Sequence, residues 1–159
     1  MYISKGVYFW LILSATIVIW DASYVLLRPH SMQGGKYEHI FSPYQIYIKF
    51  DTLYGNNDDR FVVIQSLLNY IEIAITYTAV ILSLCSCKSA KIKGALLATV
   101  VSAFTFWKTV IYVWYAEPFL TEATKNFTLE SIYLFYIPTS PWILCPLWSI
   151  ISISRKIYG

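Results

Sequence analysis

The chain has 159 residues, 57% of them hydrophobic, 18% aromatic and only 13% charged, with a formal net charge of +3. Soluble domains carry about 25% charged residues, so this composition excludes one and describes a single all-α integral membrane domain spanning residues 1–159. No nucleic-acid partner is expected.

Crossing the roughly 30 Å hydrocarbon layer takes about 20 mainly apolar residues. Four stretches qualify, at about 6–27, 61–84, 94–116 and 131–153. The first contains Asp21 in "IVIWDASYVLLRP". It is long and lacks a small-residue cleavage site, so it is expected to be a permanent span rather than a signal peptide.

The 28–60 connection follows, with "GG" and "GNNDD" marking turns and "FSPYQIYIKF" amphipathic enough to lie at the membrane interface. Its Arg28, Lys36, Lys49 and Arg60 balance Glu38, Asp51, Asp58 and Asp59. His30 and His39 are read as solvated loop side chains, and neither a metal nor a cofactor is expected.

The second span carries Glu72, and Cys85 and Cys87 lie at its end. The third carries Lys108. The short, acidic 117–130 connection holds an Asn126-Phe127-Thr128 glycosylation triplet. The fourth span contains Cys145 together with Pro138, Pro141 and Pro146, which should kink it and leave carbonyls near residues 134–142 without partners. The cysteines suggest no disulfide framework.

With four spans, Lys5, Lys88, Lys91, Lys93, Arg155 and Lys156 fall on one side, unaccompanied by acids. Positive-inside bias makes that side cytosolic and the 28–60 side lumenal. The expected location is the endoplasmic reticulum membrane, multi-pass, with both termini cytosolic.

At about 1.5 Å per residue, Asp21 lies about 9 Å, Lys108 about 12 Å and Glu72 about 16 Å below the lumenal ends of their spans. Ionisable groups at a helix centre cost about 2.5–3.5 kcal/mol, so three in so small a bundle should face one another or a wet cavity. Gln65, Asn69, Glu72 and Thr76 recur at spacings that place them on one helical face, as do Ser102, Thr105, Thr109 and Tyr112. Ser14, Asp21 and Tyr24 form a row interrupted by Ile17. Tyr70, Trp107, Tyr112 and Trp142 supply aromatics within spans. The expected architecture is a bundle of four transmembrane helices with a lumenal-half pocket for a flat or polycyclic apolar ligand. A structural role for the same polar groups, as interhelical hydrogen bonds and ion pairs, is the alternative.

The order of "IWDASY", "DDRFVVIQSLLNYIEI", "FWKTVIYVWYAEPF" and "YIPTSPWILCP" resembles the EXPERA domain family over about residues 8–156, especially its fungal members. The most specific pieces are Asp59-Arg60-Phe61 followed by Glu72, and Trp142-x-x-x-Pro146. That family includes the emopamil-binding protein, a sterol Δ8–Δ7 isomerase, and the sigma-2 receptor. The resemblance implies Asp21 and Glu72 as the proton-transferring acids, Trp142 as cation stabiliser and Thr139 at the position of a supporting asparagine. Lys108, Asn69, Tyr112 and Tyr24 complete the expected substrate-binding set. Ile17 stands where the isomerase branch has a histidine, so that proton carrier is absent. Two functions follow as expectations: an isomerase or cyclase acting on a sterol, terpenoid or similar substrate through a carbocation, or a non-catalytic sterol and lipid binder. The expected partners are membrane lipids and an apolar small molecule, with a homodimer left open.

Overall fold

A computed structural model describes residues 2–116, 129 and 132–158. The first span is helix α1, Lys5–Leu26, capped where the Ser4 hydroxyl accepts the Val7 N–H at 3.3 Å. Two short helices in the following connection, α2 (Tyr44–Tyr47) and α3 (Thr52–Gly55), precede α4, Arg60–Leu84. Asp59 caps α4 by accepting the Val62 N–H at 2.8 Å. Helix α5 covers Lys88–Ala116. It begins earlier than hydropathy suggests, because Lys88, Lys91 and Lys93 prolong the helix beyond the apolar stretch.

The fourth span is not one helix. A π-helical turn, Ile132–Tyr136, leads into α6, Ile137–Thr139, and then α7, Pro141–Tyr158. The prolines break the ladder as expected, and one of the carbonyls they release is taken up locally. Pro141 has no N–H to offer the Ile137 carbonyl, and the Ser140 hydroxyl donates to it instead at 2.9 Å. The Thr139 hydroxyl donates to the Phe135 carbonyl at 2.6 Å, and the Ser140 N–H to that of Tyr136 at 3.0 Å.

All four spans are long and apolar enough to cross a membrane, and they form a helical bundle. Helix α4 packs on α1 and on α5, and α5 packs on α7, while α1 and α7 scarcely meet. At the end carrying Lys5, Lys88 and Arg155, the helices approach closely through small residues. A side chain at Gly94 would come within 2.6 Å of the Ser83 nitrogen and 2.7 Å of the Ala79 carbonyl oxygen. Ala79, Ala95 and Ala98 are fully buried in the apolar cluster beside it. Helices α1 and α7 touch in this half where Trp148 lies against Gly6, and toward the cavity Trp10 and Trp142 meet edge to face at 5.6 Å.

The connection between α1 and α4 folds back over the other end as a cap, with Phe41, Tyr44 and Leu53 buried against Tyr24 and Val62. Arg28 fastens it, donating to the carbonyls of Leu53, Tyr54 and Asn56 at 3.2, 3.1 and 2.7 Å. Gly34 and Gly35 make the expected turn: Gly34 has φ +81°, and a side chain at Gly35 would collide with the His30 carbonyl. Tyr44 then lies flat on Tyr24, ring centres 3.9 Å apart, while Ile40 is exposed.

Candidate functional site

Beneath the cap, a cavity of about 470 Å³ occupies the gap between α1 and the broken fourth span. Ile17 and Asp21 line it from α1, Asn69 from α4, Lys108 from α5, Thr139 and Trp142 from the fourth span, and three cap tyrosines close one end. The volume lies within the roughly 300–1,000 Å³ of small-molecule sites. The π turn and Pro138 keep the fourth span from packing straight along α1, which holds the space open.

Asp21 marks the capped end. It accepts a hydrogen bond from the Tyr44 hydroxyl at 2.5 Å, and the Tyr54 hydroxyl lies 3.1 and 3.2 Å from its two oxygens. Lys108 stands elsewhere on the wall. Its ammonium donates to Glu72 at 2.7 Å and to the Asn69 carbonyl oxygen, and Thr105 donates to the same Glu72 oxygen at 3.2 Å. Lys108–Glu72 is the one ion pair among the described residues.

Glu72 is therefore placed differently from Asp21. It lines a recess of about 20 Å³ with Ser14, Thr76 and Thr105, separated from the main cavity except that Val18 and Trp142 border both. Of the two groups that Asp21 is expected to face across one pocket, Glu72 and Lys108, only Lys108 shares the main cavity with it. Glu72 stands behind the ammonium.

Several other expected residues fall at the cavity. Trp142 forms wall, Asn69 holds the lysine, and Thr139 lines the space while its hydroxyl donates to its own helix. Tyr112 lines the cavity and donates to Asp51. Tyr24 does not line it. It is buried behind Tyr44, where it shapes the cap rather than touching the cavity. Tyr70 and Trp107 face outward, 40% and 59% exposed, so the aromatic wall does not come from them. The Asn126-Phe127-Thr128 triplet lies outside the described residues.

The wall comes instead from the cap, where Tyr44, Tyr47 and Tyr54 form a mutually stacked and edge-to-face cluster. At its centre is Asp51, which the sequence shows only as one of the balanced charges of the 28–60 connection and which is 1% exposed. It accepts hydrogen bonds from the hydroxyls of Tyr47, at 3.0 Å, and Tyr112, and from the Leu53 N–H at 3.2 Å. Burial pushes the Asp51 carboxyl above its ordinary range, against the pull of the Tyr112 and Tyr47 hydroxyls. Burial first, and then the Asp21 charge, pushes the Tyr44 phenol upward, so it remains a donor at neutral pH. Residues 44, 47, 51 and 54 are spaced three, four and three apart, a helical-face rhythm inside a connection. That spacing is the one sequence signal that points to the cluster, and the hydropathy reading passes over it.

Chemically, the site offers a carboxyl group reached by two phenols, a fixed ammonium screened by its own carboxylate and an indole wall around apolar space. Compared with family models, with curated proteins and with solved structures, the chain matches none of them.

Proposed function

We propose that the protein is a membrane-embedded isomerase or cyclase that moves a double bond, or closes a ring, on a sterol, terpenoid or similar apolar substrate by proton transfer. The supporting observation is that Asp21 is the carboxyl group opening onto a cavity whose other walls are largely apolar and aromatic, with Trp142 among them. In an isomerisation, the Asp21 carboxyl gives its proton to one alkene carbon, leaving the neighbouring carbon cationic. A proton lost from the next carbon returns to the Asp21 carboxylate and forms the shifted double bond, so the acid is regenerated. The phenols of Tyr44 and Tyr54 hold Asp21 in position and steady its charge when the proton has left. Trp142 lines the cavity, and a desolvated cation held over the face of its indole gains about 2 kcal/mol. Lys108 with Glu72 is a positioning pair: it fixes α4 against α5 and adds no net charge beside the cation.

The EXPERA-like order of motifs agrees with this reading, and so does placing the protein in the endoplasmic reticulum membrane. The six basic residues gathered at the uncapped end favour cytosolic termini by positive-inside bias.

One observation favours a second reading, a lipid or sterol binder without turnover. Glu72 is engaged by Lys108 outside the main cavity, and Ile17 lines that cavity where a second proton carrier would stand. Membranes bearing the wild type or Asp21→Asn, incubated with sterol and terpenoid alkenes in deuterated water, separate the two. Turnover places solvent deuterium in the product, and Asp21→Asn lowers its incorporation at least a hundredfold. Retained binding of a radiolabelled sterol with no incorporation by the wild type establishes the binder instead.

A further inference from the structure

Among the described residues, four buried side-chain polar atoms lack a hydrogen-bond partner, belonging to Tyr24, Arg28, Gln65 and Ser102. Of these residues, only Gln65 lines the cavity. Its neighbours on the same face of α4 are engaged: Asn69 accepts from Lys108, and Glu72 accepts from Lys108 and Thr105. A buried carboxamide whose oxygen is left unpaired is unfavourable unless something else satisfies it. Gln65 therefore borders a largely apolar space with a carboxamide whose oxygen, closed off from solvent, lacks a partner.

Position defines what would meet it. Gln65 is five residues from the start of α4, and Asp21 five residues from the end of the adjacent α1. At about 1.5 Å per residue, both lie about 8 Å inside the capped end. Trp142 and the Lys108–Asn69 contact lie deeper. A ligand group bound to Gln65 thus sits at the level of the acid, and the apolar remainder extends toward Trp142. Because the carboxamide oxygen and nitrogen are assigned from their surroundings, the group that pairs with either orientation is one that both donates and accepts. A hydroxyl meets that requirement, and a hydrocarbon offers nothing.

We propose that Gln65 selects an apolar alcohol, anchoring a single hydroxyl at the level of Asp21 while the hydrocarbon skeleton fills the cavity. The proposal rests on the reading of the cavity as a site for an apolar small molecule and narrows it to a hydroxylated sterol or isoprenoid. It makes Gln65 a specificity residue rather than a catalytic one. Truncating it removes affinity for the alcohol and leaves affinity for the hydrocarbon intact.

The test uses the full chain in lipid nanodiscs and two probe pairs: tritiated cholesterol and the same skeleton lacking its hydroxyl, and tritiated farnesol and its deoxygenated counterpart. The wild type is expected to bind at least one alcohol about tenfold more tightly than its hydrocarbon. Gln65→Leu is expected to abolish that preference without weakening the hydrocarbon, and Gln65→Glu, which keeps an acceptor, to restore part of it. Thermal unfolding of each variant reports whether it is folded, and Gln65→Met replaces Gln65→Leu if the latter is not. Equal affinity of the wild type for alcohol and hydrocarbon overturns the proposal while leaving the apolar site standing. An undiminished preference in Gln65→Leu also overturns it, leaving Gln65 paired with water only. Failure of the wild type to bind any of the four probes removes the proposal together with the reading beneath it.

Discussion

The two halves of the bundle are made from the same four spans yet solve opposite problems. At the basic end, Gly94, Ala79, Ala95 and Ala98 let α4 and α5 approach to backbone contact, and apolar side chains fill what remains. At the capped end, tyrosines, a π turn and prolines hold the helices apart around about 470 Å³ of space, and two carboxyl groups are kept there by phenols. Membrane helices gain little hydrophobic free energy by touching each other rather than lipid, so close fit and hydrogen bonds decide where they meet. The tight half supplies the close fit. That lets the other half hold a cavity and buried acids without the bundle coming apart.

The Lys108–Glu72 pair stands near the boundary between the halves, and breaking it is expected to have the largest effect. Glu72→Gln leaves an unpaired ammonium and should lower stability by about 3–5 kcal/mol. Glu72→Gln combined with Lys108→Met should recover most of that loss, as read by thermal unfolding in detergent. A single variant as stable as the wild type would show that the pair does not hold the halves together.

Gly94→Leu attacks the tight half alone. Its side chain meets Ser83 and Ala79 backbone atoms, which cannot turn aside, and a cost of about 1–3 kcal/mol is expected, with α4 and α5 forced apart. Crosslinking between cysteines introduced at Thr76 and Ser102 would report that separation. In the capped half, Tyr112→Phe removes one hydrogen bond to Asp51 and should cost about 1–2 kcal/mol while leaving crosslinking in the tight half unchanged. Loss of both signals together would mean that the halves are one cooperative unit.

The smallest effect is a pH dependence confined to the cap. Burial raises the folded-state pKa of Asp51 above its unfolded value, so the fold holds that proton more tightly than the unfolded chain does. Its contribution is complete below the unfolded value, near pH 4, and is lost as pH rises through the raised folded value. The stability of the wild type relative to Asp51→Asn, which cannot ionise, should therefore fall as pH increases above about 4. Chemical unfolding of the two proteins across that range measures the slope, and parallel curves would refute it.

The spans were legible because twenty apolar residues leave a chain few alternatives in lipid, and the polar stripes because helical period alone puts Gln65, Asn69 and Glu72 on one face. The break at Pro138 and Pro141 was legible from a missing donor, although the Ser140 hydroxyl satisfies the Ile137 carbonyl that Pro141 releases. Asp51 was not, since a carboxylate in a polar connection looks solvated until Tyr47 and Tyr112 are known to surround it. Tyr24 was misplaced for a related reason: helical phase puts it near Asp21 but does not reveal that Tyr44 covers it.

Composition, hydropathy and helical period thus determined by themselves that this is a four-span bundle with polar groups turned inward, because burial in lipid constrains each helix separately. Which inward groups meet was decided only by tertiary structure. Lys108 goes to Glu72 and Asn69, Asp21 to Tyr44 and Tyr54, and Asp51 from solvent to the interior, because each contact joins residues at least four positions apart and most join different elements. Such contacts depend on how the cap folds over the bundle and where the fourth span breaks, distances that no single helix encodes.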